Sequence, residues 1–330
     1  MKNIKHIIAA VNNRLFLKTS CGPIGIGLIG IGGWGATNAI NIMRTRRFNI
    51  IGVHDSQTEI GNNFAKHFKT KNYHQIQDLM NNPNIQAVAI TVPNHLHADM
   101  VKVAADAGKH IFIEKPLASA SDICRALGRY CQDRRVILQV GHQMRREPVI
   151  RKIKGILEVG ELGRPLYIQG VYTLERKYRD DWRRDARACP GGSMEQLGVH
   201  LIDVLIYLFG TPQESHGWRV NIPFHSDAPD WGCVLMSFDH DVHASISTSF
   251  SSPFHMRMEF FFDRGNLSTD GERLWIKYSD TNIKTEKLRG VSGGVAQFID
   301  FADCLEHGKE PETSASVAAE VMNVVRSIFG

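Results

Sequence analysis

Residues 24 to 35 read Ile-Gly-Ile-Gly-Leu-Ile-Gly-Ile-Gly-Gly-Trp-Gly, and Asp55 closes the next apolar run, Ile50-Ile51-Gly52-Val53-His54. Few folds accommodate that pairing. A strand that ends at Gly30 feeds a tight turn through Ile31 and Gly32, and Gly35 lets a helix pack closely on the sheet. Around Gly33 and Trp34 the helix N-terminus presents free backbone N–H groups, which attract a pyrophosphate. Asp55 lies about 20 residues past the glycines, where a carboxylate accepts ribose hydroxyls. Gly30, Ile31, Gly32, Gly33, Trp34, Gly35 and Asp55 are therefore candidate dinucleotide ligands. NAD is favoured over NADP, because Asp55 repels a 2′-phosphate and Ser56 and Gln57 supply no arginine to hold one.

After this loop the chain alternates short apolar runs with helical patterns, which specifies a parallel sheet covered by helices on both faces. The runs are Ile24–Ile29, Ile50–Asp55, Ala87–Val92, His110–Ile113 and Val136–Val140. The helical patterns fall near residues 34–45, 58–68, 75–81, 96–107 and 120–133. Such a doubly wound, Rossmann-type sheet binds ligands at the carboxyl ends of its strands.

Past residue 142 the regular alternation stops. A helix pattern near Glu147–Glu158 precedes the apolar run Leu166–Thr173, a glycine-rich turn and a strongly apolar helix near Met194–Phe209. The runs Gly232–Phe238, Val242–Phe250 and Met256–Phe262 read as antiparallel strands, and helix patterns near Val295–Leu305 and Ser314–Phe329 close the chain. The expected organisation is an extension (1–22), an α/β Rossmann domain (23–141) and an α+β domain (142–330) with an open, largely antiparallel sheet. One sheet face left uncovered by so few helices predicts a homodimer or homotetramer.

Composition excludes several classes of function. The 330 residues are 43% hydrophobic and carry a net charge of +5, but the basic residues are scattered in short clusters such as Arg44-Arg46-Arg47, without interleaved aromatics. Nucleic-acid binding is not predicted. The six cysteines have neither CxxC spacing nor scaffold density, which reads as reduced thiols in a cytoplasmic protein. The apolar run Ile7–Val11 is broken by Asn12, Asn13 and Arg14, so no export signal and no membrane span is expected.

The segment Ile111–Ala118 contains Glu114-Lys115-Pro116 at a predicted strand end. A partly desolvated lysine there exchanges protons near neutral pH, and a cis bond to Pro116 fits the turn. Further motifs follow: Thr91-Val92-Pro93-Asn94-His95-Leu96-His97, Arg145 to Pro148, Gly160-Glu161-Leu162-Gly163-Arg164-Pro165, and Gly191-Gly192-Ser193 through His200-Leu201-Ile202-Asp203.

In order and spacing these motifs resemble the glucose–fructose oxidoreductase / inositol dehydrogenase / rhizopine-catabolism (Gfo/Idh/MocA) oxidoreductases over nearly the whole chain. The resemblance implies an NAD(P)-dependent dehydrogenase that moves a hydride between the nicotinamide and a hydroxyl-bearing carbon of a sugar, sugar derivative or inositol. It makes Lys115 the first proton-handling candidate and His200 the second. It sets Thr91, Pro93, Asn94 and His97 beside the cofactor, and Glu114 near the nicotinamide ribose. Some relatives with this fold hydrolyse glycosides through tightly bound NAD, and a non-catalytic regulatory protein is the third alternative.

One position departs from the family. The residue four before His200, commonly aspartate, is Gln196, which neither takes a proton nor holds negative charge. On one helix face, Gln196 and His200 still point together, and Gln196 keeps a hydrogen-bonding role toward substrate. The neighbouring Glu195 is turned away by about 100° on an α-helix. Arg145, Arg146, Tyr172, Arg176, Lys177, Trp182 and Arg183 form the polar and aromatic supply expected for a polyol or acidic sugar, with Arg145, Tyr172, Trp182 and Arg183 the leading substrate ligands. His95 and His97 lack further ligands at a recognisable spacing, so no metal is expected.

Overall fold

The computed structural model describes residues 22–175, 182–221, 227–278 and 283–329. The chain divides into two compact units. The first holds the residues up to Leu117, Asp122–Gly141 and Gly294–Ser316; the second holds Ala118–Ser121, His142–Gly293 and Val317 onward. The sequence reading separates the two domains by a single boundary near residue 142, whereas the observed first unit is discontinuous, because residues 294–316 rejoin it.

Six strands build the first unit: β1 (Ile24–Ile29), β2 (Phe48–His54), β3 (Lys71–Asn72), β4 (Ala87–Ile90), β5 (His110–Ile113) and β6 (Leu138–Val140). They form one sheet in the order β3-β2-β1-β4-β5-β6, parallel throughout. Every residue of β1 is buried, as a strand covered on both faces requires. Helices α1 (Gly33–Thr45), α2 (Thr58–Phe68), α3 (Ile76–Met80), α4 (His97–Asp106) and α5 (Ser121–Asp133) connect the strands. The order reverses at β1 and β4, which puts the ligand crevice of this fold at their carboxyl ends.

Two details differ from the sequence reading. Lys71-Asn72 has no apolar alternation, yet pairs with Gly52 and Val53 as an edge strand. The expected strand at Val136–Val140 shortens to Leu138–Val140, because the Val136 N–H donates to Cys131 O at the end of α5.

The core of this unit depends on the returning segment. Among α6 (Pro148–Val159), α7 (Val199–Phe209), α8 (Gly293–His307) and α9 (Ala315–Arg326), it is α8 that supplies Phe298 and Phe301. Phe298 lies 4.3 Å, centroid to centroid, from Phe112 of β5, and Phe301 lies 6.1 Å from Phe48 of β2. Val140 and Thr313 exchange bonds beside β6: the Val140 N–H donates to Thr313 O at 2.8 Å, and Thr313 Oγ1 donates to Val140 O at 2.6 Å. Arg47 pairs with Asp303 and Glu306 at the surface, 3.0 and 2.6 Å away.

In the second unit, β7 (Pro165–Thr173), β8 (Glu214–Val220), β9 (Trp231–Phe238), β10 (Val242–Ser249), β11 (His255–Phe262), β12 (Gly265–Thr269), β13 (Arg273–Tyr278) and β14 (Ile283–Lys287) form one sheet. Its order is β14-β13-β12-β11-β7-β10-β9-β8. It is antiparallel except where β7 runs parallel to β10. Strand parity sorts its faces. Ile168, Ile246, Phe260, Leu267 and Leu274 are buried on one face, and the absent side chain at Gly170 admits Leu201 of α7. Tyr167, Leu235 and Trp218 project from the other and remain exposed. No helix among the described residues is long and apolar enough to cross a membrane.

The returning helix therefore holds by packing more than by charge. Phe298→Ala is expected to cost about 3–5 kcal/mol by leaving a cavity against Phe112. Arg47→Ala is expected to cost less than about 1 kcal/mol, since its ion pairs are solvated; urea denaturation of both variants measures the difference.

Candidate active site

The glycine loop is built as its spacing predicts. Gly30 adopts φ +81°, and a Cβ there would lie 2.6 Å from Thr91 O. At Gly35 a Cβ would lie 2.0 Å from Gly30 O, so neither position admits a side chain. Around Gly32 and Gly33 there is open space within 4 Å of a built Cβ. That space, at the first turn of α1, fits a pyrophosphate on free N–H groups. Ile31 is buried, and its N–H donates to Asp55 Oδ2 at 2.7 Å, while the Gln57 N–H donates to Asp55 Oδ1 at 2.9 Å. Asp55 thus fastens the glycine loop, and its oxygens keep lone pairs for further donors.

Glu114 and Lys115 end β5 at the same edge of the sheet. Glu114 is only 6% exposed. Oε1 accepts Trp34 Nε1 and Asn38 Nδ2, both at 2.8 Å, and Oε2 accepts the Lys115 N–H at 3.3 Å. Burial pushes its pKa above the ordinary carboxylate value, opposed by the Asn38 bond and the Lys115 charge. Asn38 Nδ2 also lies 3.4 Å from Thr91 Oγ1. The structure therefore brings Trp34, Thr91, Glu114 and Lys115 together at the strand ends that carry the glycine loop. Lys115 is half-buried, and its bond to Pro116 is cis.

Pro93 and Asn94 follow β4 in a short 3-10 turn, half-buried. His97, the first residue of α4, has no exposed surface, and both ring nitrogens face backbone carbonyls: Nδ1 lies 2.7 Å from Pro116 O and Nε2 3.0 Å from Val92 O. Both ring nitrogens, the atoms that would bind a metal, are thereby engaged within the protein. Among the described residues, Asp303, Glu306 and His307 come close enough to share a metal ion, but Arg47 already lies between the two carboxylates.

The second unit carries the other candidates. Gly191 and Gly192 lead into a π-helical turn, Met194–Gly198, and then α7. The single α-helix expected from Met194 is thus interrupted by a wide i→i+5 turn, a feature common at functional sites. Glu195 is buried and its Oε2 accepts the Gly191 N–H at 2.9 Å, so it closes the turn. Gln196 is buried too, and its Oε1 accepts Arg183 Nε at 3.3 Å. It also bonds the buried Cys189 thiol, whose pKa burial raises. His200 is half-buried, with its ring 6.2 Å from that of Tyr172.

Arg145 stands elsewhere than at an open ligand position. Its Nε and Nη2 hold Asp203 Oδ2 and Oδ1 at 3.0 and 2.6 Å, and both residues are buried. His142 Nδ1 is 3.6 Å from the same carboxylate. Trp182 and Arg183 share a short 3-10 turn, with the guanidinium 4.3 Å above the indole. Arg176 and Lys177 lie outside the described residues.

Sequence reasoning missed two contributors. Asn38 lies one turn after Trp34 on α1, a spacing that puts both on one face. Phe254 is 67% exposed and meets Tyr172 edge-on at 6.2 Å; its parity with Met256, which opposes Tyr172 across the sheet, carried that signal.

Comparison with known proteins agrees with this arrangement. Residues 24–142 match the model of an oxidoreductase family with an NAD-binding Rossmann fold, and residues 150–268 match a Gfo/Idh/MocA C-terminal domain. The chain is 28% identical over 268 residues to scyllo-inositol 2-dehydrogenase (NAD(+)) of Bacillus subtilis (strain 168), covering 74% of this chain and 75% of that one. It is 23% identical over 271 residues to D-xylose 1-dehydrogenase [NADP(+)] of Haloarcula marismortui, covering 78% and 75%. The solved structure of levoglucosan dehydrogenase with NADH and levoglucosan shares the fold, with TM-score 0.85 at 20% identity over 93% of this chain and 96% of that one. With cradle, lysine and both matched domains in place, the chain belongs to the Gfo/Idh/MocA family and is an NAD(P)-dependent oxidoreductase.

Proposed function

We propose that the enzyme oxidises a hydroxyl-bearing carbon of a sugar, sugar derivative or inositol, with NAD preferred over NADP. The observation that carries this reading is Lys115 at the mouth of the cradle, its backbone held by the carboxylate that also anchors Trp34 and Asn38. The names of the similar dehydrogenases, which act on scyllo-inositol and D-xylose, support the substrate class.

A dinucleotide held through its pyrophosphate at Gly30–Gly35 would supply the nicotinamide as hydride acceptor. Lys115 orients the reacting hydroxyl and takes up its proton, a role expected to contribute on the order of 10²- to 10⁴-fold. Glu114 accepts hydrogen bonds from α1 and steadies the lysine backbone. Gln196 and His200 hydrogen-bond the substrate, and with an amide at 196 the acid–base work falls on Lys115 and His200. Tyr172 and Trp182 offer ring faces to the apolar side of a sugar ring.

The open face of the second unit's sheet supports a homo-oligomer. Tyr167, Val171, Leu235, Trp218, Phe261 and Trp275 occur on it by strand parity. A patch of that kind on a soluble enzyme favours self-association. We place the enzyme in the cytoplasm, in keeping with six cysteines that have neither CxxC spacing nor the density of a disulfide scaffold.

A thermal-shift screen of inositols, aldoses and anhydrosugars with NAD or NADP identifies the substrate class, and NADH formation on each hit confirms turnover. Lys115→Met is expected to lower kcat on the order of 100-fold or more while cofactor affinity stays within a few-fold; near-normal turnover overturns the assignment. Asp55→Ser is expected to tighten NADP relative to NAD by about tenfold, the effect of removing one like-charge repulsion of about 1.4 kcal/mol. Fluorescence titration of both cofactors measures it. Leu235→Asp puts a charge in the proposed oligomer face, and light scattering should then report monomers.

A further inference from the structure

The loop after β5 has few backbone anchors of its own. The Glu114 N–H makes the last ladder bond, to Ile90 O at 3.1 Å. Lys115 then donates its N–H to the side chain of Glu114, and Pro116 has no N–H to give. The Pro116 carbonyl oxygen, one residue beyond Lys115, lies 2.7 Å from His97 Nδ1. The opposite nitrogen of the same ring reaches Val92 O at 3.0 Å, in the loop that leaves β4 toward Pro93 and Asn94. One fully buried imidazole therefore ties the lysine loop to the candidate cofactor loop.

We propose that His97 is a positioning residue, which sets the height of Lys115 against the cofactor by clamping the Val92 and Pro116 carbonyls. The role deepens the reading of Lys115 as the proton-handling group and rests on it. The groups of opposite or like charge around the ring are few: Lys115 and His95 both disfavour its protonation, and burial, the largest influence, holds its pKa down to about 4. A neutral imidazole has one N–H for two carbonyls. The ring donates to one of the two carbonyls in either tautomer, and its rigid width sets the distance between the two loops. An imidazole spans that gap with a fixed width that no flexible side chain reproduces.

Acetylation of the whole enzyme by acetic anhydride, with and without NADH, tests the proposal without a known substrate. Mass spectrometry compares Lys115 with the exposed Lys66 and Lys102 as internal references. In the wild type, NADH is expected to slow Lys115 labelling several-fold. His97→Phe, which keeps the ring and loses both polar contacts, is expected to reduce that protection at least threefold. His97→Asn keeps one donor on a shorter arm; it is expected to fall between the two and serves if the phenylalanine variant does not fold. Full protection in either folded variant overturns the clamp. Absence of protection in the wild type overturns the placement of Lys115 beside the cofactor instead, so the two failures are distinct.

Discussion

A carboxylate taken out of water costs several kcal/mol unless donors replace its hydration. Glu114 meets that demand at the end of β5 with the indole N–H of Trp34, the amide of Asn38 and the backbone of Lys115. Two of those donors come from consecutive turns of α1, the helix whose N-terminus forms the phosphate cradle. The same carboxylate therefore fixes the cradle and the catalytic candidate against each other. Desolvation raises its pKa while the donors and the Lys115 charge lower it, and the net direction is upward, so burial outweighs them.

What was legible in the sequence follows from what each signal depends on. Glycines at 30 and 35 are demanded by backbone atoms a few residues away, and the strand runs by a period of one or two; local chemistry of this kind is visible in a linear pattern. The matched family domains and the parallel sheet bear out that part of the reading. Long-range demands left no such trace. Nothing in the stretch around Phe298 says that it will pack on Phe112, nearly two hundred residues away in the chain, and the first unit is discontinuous for that reason. The edge strand at Lys71-Asn72 is equally silent, since it is stabilised by its neighbour's open hydrogen bonds and not by apolar side chains.

At Gln196 the sequence raised the question and the geometry narrows it. The amide oxygen accepts from Arg183, and the side chain sits beside the Cys189 thiol. The neighbouring acid offers no substitute, because Glu195 spends an oxygen on the Gly191 N–H that begins the π-helical turn. A wide turn also advances less rotation per residue than an α-helix, and it still returns residue 200 to the side on which residue 196 lies. The departure from the family aspartate is therefore a change of charge more than of position. Beside Arg183 an aspartate would form an ion pair; a glutamine accepts from the guanidinium without neutralising it, which leaves a more positive surrounding for whatever ligand approaches.

Arg145 shows how magnitude decides between a structural and a ligand-binding role. Its guanidinium holds Asp203 with two bonds in a site closed to solvent, three residues past His200 on α7. Withdrawing it toward a substrate would leave a buried carboxylate without its counter-charge, at about 3–5 kcal/mol. A new hydrogen bond to a sugar hydroxyl returns about 1.5–3 kcal/mol even from a charged donor. The exchange is unfavourable, so Arg145 stays with Asp203 and acts on α7, holding the helix that presents His200. The bond between Arg183 and the amide of Gln196, in which only one partner is charged, costs less to exchange.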